Sequence, residues 1–384
     1  MRQQQHIASC QETYLTVRGL TPEKVIHFDI ETTGFRASTS QLYMIGWAVK
    51  LCPEDADTWM ITQLLAETAA EEALILQQFL DVLKDYDTIV EFNGDRFDLP
   101  YLREKCASHQ MGDPFEGLQT VDLYQEIRPC KSMLGMSRLN QKSVEQFLQI
   151  SRKDPYNGGE LIQVYREVRN RTAEDMEASV RALFLHNYED VLGMLAMTPI
   201  VSYPLICAGD EPVCCRILNM DGNVLHPSSK PCDPGTVDPA GVCCLEASYT
   251  IPVCVPTDLC TDMGAWKIKV QGSSVTVTIP LFHGTLYHFF PDYKEYYYLP
   301  EEDTAMHKSV ACFVDPSHRR KATAQNCYVK KEGTFLPQTD ERFLPSFRSS
   351  FKDPLSWFEY QPRLLEDTDA LTSYVHSLVR SLSN

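Results

Sequence analysis

Asp29 and Glu31 stand one residue apart in the apolar run Val25-Ile26-His27-Phe28-Asp29-Ile30-Glu31, which breaks at Gly34 after Thr32 and Thr33. Side chains alternate faces along a β-strand, so a strand here would set both carboxylates on one side. Two carboxylates held that close repel, and burying either without a partner is costly. A divalent cation between them removes the conflict, since hard oxygen ligands suit Mg²⁺ or Mn²⁺. A solvated acidic face on an edge strand would accommodate the pair as well, so the pair alone leaves both readings open.

Two further segments add partners. The run Thr88-Ile89-Val90-Glu91-Phe92-Asn93-Gly94-Asp95-Arg96-Phe97-Asp98-Leu99-Pro100 reads as a buried strand ending in an Asn-Gly turn, with Asp98 at the entrance to a helix. The run Leu183-Phe184-Leu185-His186-Asn187-Tyr188-Glu189-Asp190-Val191-Leu192 is helical in pattern, and the four-residue spacing puts His186 and Asp190 on one face.

FDIETTG at 28–34, FNGxxFD at 92–98 and a helix bearing a base four residues before its last Asp follow one another in the order found in the DEDD, or DnaQ-like, exonucleases, which the chain resembles. Leu42-Tyr43-Met44-Ile45-Gly46, Val121-Asp122-Leu123-Tyr124, Gly158-Gly159-Glu160-Leu161-Ile162-Gln163-Val164-Tyr165 and the LHNYED of the third motif narrow the likeness. Residues 24–202 resemble the bacterial YprB-type ribonuclease-H-like family. That resemblance implies a ribonuclease-H-like fold with a two-metal nuclease site. Asp29, Glu31, Asp98 and Asp190 would hold two Mg²⁺ or Mn²⁺ ions about 4 Å apart, with Asp29 as the bridge. His186 would accept the proton of the attacking water. Thr32, Thr33, Asn93, Asn187, Arg152 and Lys153 are the candidate substrate contacts. The chain departs from the superfamily in one respect: the base is usually Tyr at four residues before the last Asp or His at five, and here His stands at four. Tyr188 is no substitute, because two residues before Asp190 it faces nearly the opposite side of the helix.

The function expected on this basis is metal-dependent 3′→5′ exonucleolysis of DNA or RNA from a single-stranded 3′ end. The alternatives are a catalytically weak nucleic-acid-binding or assembly module, and a structure-specific endonuclease with the same site. A net charge of −17 runs against a nucleic-acid partner, but charge is a sum and a basic stripe can sit on an acidic body. Residues 128–153 hold Arg128, Lys131, Arg138, Lys142, Arg152 and Lys153 against the one acid Glu145, and residues 317–331 hold Arg319, Arg320, Lys321, Lys330 and Lys331 with no acid. Each is a solvated surface run or a phosphate contact.

At 384 residues and 43% hydrophobic the chain is long enough for two cores. The opening residues lack the regions of a signal peptide, and no apolar run is expected to span a membrane, so a cytoplasmic protein is expected. Its 14 cysteines suit that compartment as free thiols. Cys207, Cys214, Cys215, Cys232, Cys243, Cys244, Cys254 and Cys260 cluster without a C-x-x-C spacing, which favours small buried hydrophobes over a zinc or iron–sulfur site.

The elements that must hold these groups follow from periodicity. Strands are predicted at 25–31, 42–50 and 58–63, antiparallel because their connections are short. An amphipathic helix at 71–86 crosses to a strand at 88–92; a helix at 99–108 leads to a fifth strand at 119–123. A helical insertion fills 128–175, with glycines before a helix from 160 that could approach phosphate, and the third-motif helix covers 176–197. The fold class expected is α/β: a ribonuclease-H-like mixed five-stranded sheet flanked by helices, then a mainly β C-terminal domain. The divisions are a lead-in at 1–23, the exonuclease domain at 24–204, and a β domain at 205–384 with a closing helix at 371–382. Glu301, Glu302 and Asp303 beside His307 read as a solvated loop rather than a second metal site.

Overall fold

A computed structural model describes residues 1–11, 14–51, 57–209, 211–219, 224–227 and 244–383. They group into two compact units, Met1–Leu205 with Pro252–Thr257, and Ile206–Ile251 with Asp258–Asn384.

The first unit is built on a six-stranded mixed sheet. Its strands are β1 (Arg2–Ser9), β2 (Val25–Thr32), β3 (Leu42–Lys50), β4 (Thr58–Leu65), β5 (Thr88–Glu91) and β6 (Gln119–Asp122), in the spatial order β1-β4-β3-β2-β5-β6. β2, β3 and β4 pair antiparallel as their short connections require, while β5 lies parallel to β2 and β6 parallel to β5. The expected sheet had five strands and treated residues 1–23 as a lead-in. The sixth is β1, antiparallel to β4 at the sheet edge. Its sequence Arg-Gln-Gln-Gln-His-Ile-Ala-Ser shows no apolar alternation, because an exposed edge strand is held by its ladder of backbone hydrogen bonds and not by a buried face.

Alternation along β2 divides its side chains. Ile26, Phe28 and Ile30 join one core with Ile45, Trp47, Leu64, Ile75, Phe79 and Leu102. That core is covered by α1 (Glu72–Leu83), the crossover helix, and α2 (Asp98–Ser108). Phe28 packs on Phe79 with ring centres 5.1 Å apart, and each such fully buried ring stabilises the fold by about 1.5–3 kcal/mol. The ion pair of Lys105 with Glu72, 2.7 Å and almost wholly buried, ties α2 to α1.

His27, Asp29 and Glu31 take the opposite face, toward three more helices. α3 (Gln141–Phe147) is capped by Asn140, α4 (Gly158–Asn170) opens on a capping box between Asn157 and Glu160, and α5 (Met176–Met197) is capped by Asp175 and gives way to a 3₁₀ turn containing Pro199. The capping box occupies the N–H of Glu160 with the Asn157 side chain, so the glycine turn begins the helix two residues earlier than expected. Tyr43, Met44, Leu65, Leu161, Tyr165, Val180 and Phe184 form the core on this side. One helical stretch, Met176–Ala208, is long and apolar enough to cross a membrane, contrary to the expectation that none is; most of its apolar window is buried against the rest of the protein, which accounts for its composition.

The second unit is mainly β. One antiparallel sheet has the order β10-β11-β12-β9-β7-β8, with β7 at Cys214–Leu218, β8 at Val224–Pro227, β9 at Cys244–Thr250, β10 at Leu259–Asp262, β11 at Lys267–Gln271 and β12 at Ser274–Pro280. A hairpin between β11 and β12 turns at Gly272-Ser273, where Gly272 adopts φ +57°. Two three-stranded sheets complete the unit. Its closing helix, α6 (Thr368–Arg380), starts earlier than expected because Asp367 caps it. Of the clustered cysteines, Cys232 and Cys243 lie outside the described residues. Of the described ones Cys207 and Cys215 are buried as expected, Cys244 is half-buried, and Cys214, Cys254 and Cys260 are exposed; among the described residues no group of cysteines could hold a metal ion.

His27 offers a test of the packing on the second face. It is fully buried beside Trp59, ring centres 5.4 Å apart, and burial lowers its pKa to about 3. The unfolded chain binds a proton here below about pH 6.5 and the native chain does not, so stability rises with pH across this window. Below pH 6.5 each unit of acidification costs about 1.4 kcal/mol until pH nears 3. His27→Gln removes the titration. The fall in urea midpoint between pH 7 and pH 4 should therefore be smaller in His27→Gln than in the parent, and equal falls would show that His27 is not held neutral.

Candidate nuclease site

Asp29 and Glu31 emerge from the C-terminal half of β2, just before a bulge between Glu31 and Thr32. The two threonines hold the turn that follows: Thr32 Oγ1 donates to the Gly34 carbonyl at 3.0 Å, and Thr33 Oγ1 accepts from the Gln41 N–H at 2.8 Å. Asp98 is the first residue of α2, where the helix dipole favours a carboxylate. The turn before it is made by Asn93 in the left-handed region, φ +64°, whose N–H donates to Asp122 Oδ1 at 2.8 Å. His186 and Asp190 lie on the α5 face turned to β2.

The structure brings Glu31, His186 and Asp190 together, with one ligand atom of each within 4.8 Å of the others. His186 Nε2 is 3.1 Å from Asp190 Oδ2 and 3.5 Å from Glu31 Oε1. Burial and then the charges of Asp190, Glu31 and Asp98 hold the Asp29 carboxyl well above its usual range. Burial, opposed by His186 and reinforced by Asp190, brings Glu31 to about 7; burial brings Asp98 to about 7 as well. These are anions short of counter-charge. Hard divalent cations are the groups such an oxygen set accepts, so the donors present fit the ions expected from the motifs.

Three positioning residues were not legible as such. Asp154, with its side chain wholly buried, stands 2.5 Å from His186 Nδ1. An Nδ1–H donated to that carboxylate leaves Nε2 as the nitrogen facing the acids. Burial disfavours the imidazolium, but the carboxylates of Asp190, Glu31 and Asp154 outweigh it and raise the His186 pKa above its usual value. Gln63 on β4 donates to Asn187 Oδ1 at 2.9 Å and to the Phe184 carbonyl at 2.9 Å. Gly46, opposite Asp29 in the β2–β3 ladder, leaves the space that the Asn187 amide fills; a Cβ there would collide with Asn187 Oδ1.

Asn187 is itself fully buried, and its Nδ2 donates to Asp29 Oδ2 at 3.0 Å. Arg152 is mostly buried. Its guanidinium lies 2.6 Å from Asp190 Oδ1, 3.0 Å from Glu145 Oε1, 3.7 Å from Asp154 and 3.9 Å from Glu189. The side chains of Asn187 and Arg152, expected at the substrate, thus meet acids of the protein. Lys153 is exposed; its backbone N–H donates to Glu189. Tyr188 faces away from the acids and packs against His6 of β1. Tyr43, stacked on Tyr165 with ring centres 4.1 Å apart, reaches Glu31 Oε2 at 3.4 Å.

Outside this site, the basic run 317–331 is partly engaged. Arg319 lies over the Tyr297 ring, Lys330 pairs with Asp303 and Lys331 with Glu359. Asp303 also accepts from the hydroxyls of Tyr298 and Tyr328, and these partners, Lys330 first, hold it down to about 2.

Residues 26–201 match the RNase_H_2 model of the RNase_H superfamily. This segment is a ribonuclease-H-like domain. The chain is 31% identical over 147 residues to a DNA polymerase of Thermococcus hydrothermalis, covering 30% of this chain and 9% of that protein. It is 37% identical over 107 residues to a DNA polymerase of Pyrococcus glycovorans, covering 24% of this chain and 13% of that protein. The family B DNA polymerase from the hyperthermophilic archaeon Pyrobaculum calidifontis aligns with a TM-score of 0.35 at 14% identity, over 69% of this chain and 34% of that chain. The ribonuclease-H-like fold expected from the motifs is borne out, as is the mainly β region that follows it.

Two substitutions test how the site is held. Gly46→Ala should displace Asn187 from Asp29 and lower the affinity for Mn²⁺, measured by calorimetry, while circular dichroism stays that of the parent. Arg152→Ala should cost about 3–5 kcal/mol in urea unfolding, because it strands buried carboxylates. A change in nucleic-acid affinity without loss of stability would return Arg152 to the substrate.

Proposed function

We propose that this chain is a metal-dependent 3′→5′ exonuclease that hydrolyses phosphodiester bonds of nucleic acid from a single-stranded 3′ end. The observation that carries the reading is the meeting of Glu31 and Asp190 with a histidine whose other nitrogen is fixed by Asp154. Similarity of the chain to DNA polymerases makes DNA the first substrate to try.

Asp29, Glu31, Asp98 and Asp190 would hold the cations, Mg²⁺ or Mn²⁺. Bound there, the ions would acidify a water and offset charge on the leaving oxygen. The protein's own groups do the rest. Asn187 fixes the rotamer of Asp29, and Tyr43 that of Glu31. Asp154 orients the imidazole so that Nε2 takes the proton from the water. Arg152 holds Asp190 from the side away from His186: it meets Oδ1 while the imidazole meets Oδ2. Free thiols among the described cysteines suit the reducing cytoplasm proposed for the protein.

End-labelled single-stranded and duplex DNA and RNA, incubated with Mn²⁺ or with chelator and resolved at nucleotide length, test the reading. A ladder shortening from the 3′ end, lost in chelator and lost in Asp29→Asn and in Asp98→Asn, is expected. Internal cuts would make the chain an endonuclease with the same site, and no cleavage of any substrate would leave a binding or assembly module. His186→Ala should lower kcat by roughly 10²- to 10⁴-fold with little effect on substrate binding, since general-base assistance acts in the transition state. Asp154→Ala should lower kcat in the same direction, and Tyr188→Phe should leave it near the parent value. Loss in Tyr188→Phe with His186→Ala intact would reassign the base.

A further inference from the structure

A second group of carboxylates adjoins the motif acids, close enough that the charge of Asp122 acts on Asp98 and that of Asp98 on Glu91. Glu91 ends β5 and Asp122 ends β6, and the two are register partners in the parallel ladder, so their carboxyls leave neighbouring strands side by side. Asp95 joins them from the turn between β5 and α2, and one oxygen from each of the three lies within 4.8 Å of the others. Glu91 is 1% exposed and Asp122 4%.

Each buried carboxylate uses one oxygen and leaves the other unused. Glu91 Oε2 accepts from the Gly94 N–H, and Asp122 Oδ1 accepts from the N–H groups of Asn93, Tyr124 and Gln125. Glu91 Oε1 and Asp122 Oδ2 are buried with no hydrogen-bond partner. Orphaned buried oxygens of this kind call for a bound species. No Lys, Arg or His pairs with any of the three acids among the described residues. Arg96, in the same turn, lies instead over the Tyr124 ring, 5.9 Å from its centre.

A shared proton could join Glu91 to Asp122, but it would satisfy two oxygens and leave the third carboxylate, Asp95, repelled by the pair. A cation satisfies all three. Oxygens spread over less than 4.8 Å fit around an ion with metal–oxygen distances near 2.0–2.6 Å, the range of Mg²⁺ and Ca²⁺. Asp95 is exposed, which gives the site an opening to solvent from which an ion enters and waters complete its shell.

We propose that Glu91, Asp95 and Asp122 form a second, structural site for a hard divalent cation, which clamps the ends of β5 and β6 to the Asn93–Phe97 turn. The same two buried acids accept the N–H groups of Asn93 and Gly94, so a cation here fixes the turn from which Asp98 departs. This site does not depend on the nuclease reading.

Calorimetry with CaCl₂ or MgCl₂ on the full chain carrying Asp29→Asn and Asp98→Asn, which removes two acids of the first site, tests it. One ion should bind, and the melting temperature should rise with it. Adding Asp95→Asn, an exposed position that the fold tolerates, should weaken binding on the order of ten-fold. Adding Glu91→Gln, which retains an acceptor for the Gly94 N–H, should abolish binding and the thermal shift together. Binding unchanged in both variants, or no binding in the parent, overturns the proposal and leaves the shared proton. Cleavage assays in the Asp95→Asn chain with the four motif acids intact keep the two readings separate: nuclease activity there, with the second ion weakened, shows that one can fail without the other.

Discussion

Repulsion among carboxylates that the fold insists on burying is the constraint from which the rest of the first unit follows. β2 must present Asp29 and Glu31 on the face covered by α5 because its other face, Ile26, Phe28 and Ile30, is committed to the core beneath α1 and α2. Once that alternation is fixed, the acids cannot turn away. α5 then adds Asp190 to the same space. Among the described residues two cationic side chains, His186 and Arg152, are set against these acids, and both are held in turn by further carboxylates. A buried ion-pair network of this kind is weak as a source of stability and strong as a source of geometry.

Topology explains why the acids meet where they do. β2, β5 and β6 run parallel, so their C-terminal ends share one edge of the sheet. Asp29 and Glu31 come from the end of β2, Asp98 from the start of α2, which follows the turn beyond β5, and Glu91 and Asp122 from the ends of β5 and β6. Backbone groups leaving strand ends have lost their ladder partners, and buried acids supply acceptors for them: Asp122 for Asn93, and Glu91 for Gly94. The carboxylate density at this edge thus has two origins, one in the motif acids and one in the need to terminate strands inside the protein.

Much of this was legible because it is local. A period of two placed Asp29 beside Glu31, an Asn-Gly turn placed Asp98 at a helix start, and a spacing of four placed His186 on the Asp190 face. The crossover helix and the parallel neighbour followed from length. What could not be read is long-range. Asp154 reaches His186 across 32 positions from an irregular segment with no period of its own. Arg152 counted as one of a basic run, and only the fold shows it turned inward onto Glu145 and Asp190. β1 escaped because an edge strand held by its ladder alone needs no pattern of apolar residues.

Absent side chains shape the site as much as present ones. Gly46 sits across from Asp29, and the volume a Cβ would claim is filled by the Asn187 amide, which therefore approaches the strand closely enough to bond Asp29. Gly193, one turn beyond Asp190 on α5, does the same for Glu145, whose carboxylate occupies the space a Cβ there would need and from that position anchors Arg152. Glycine in a strand or helix interior costs about 0.5–1 kcal/mol relative to alanine. Here that cost is offset by buried charged hydrogen bonds, each worth about 1.5–3 kcal/mol, that a methyl group would prevent. The two glycines act on opposite members of the site, one through Asn187 on the strand acid and one through Arg152 on the helix acid. Each glycine thus admits one buried polar side chain, Asn187 at β3 and Glu145 at α5, and through it fixes one acid of the site.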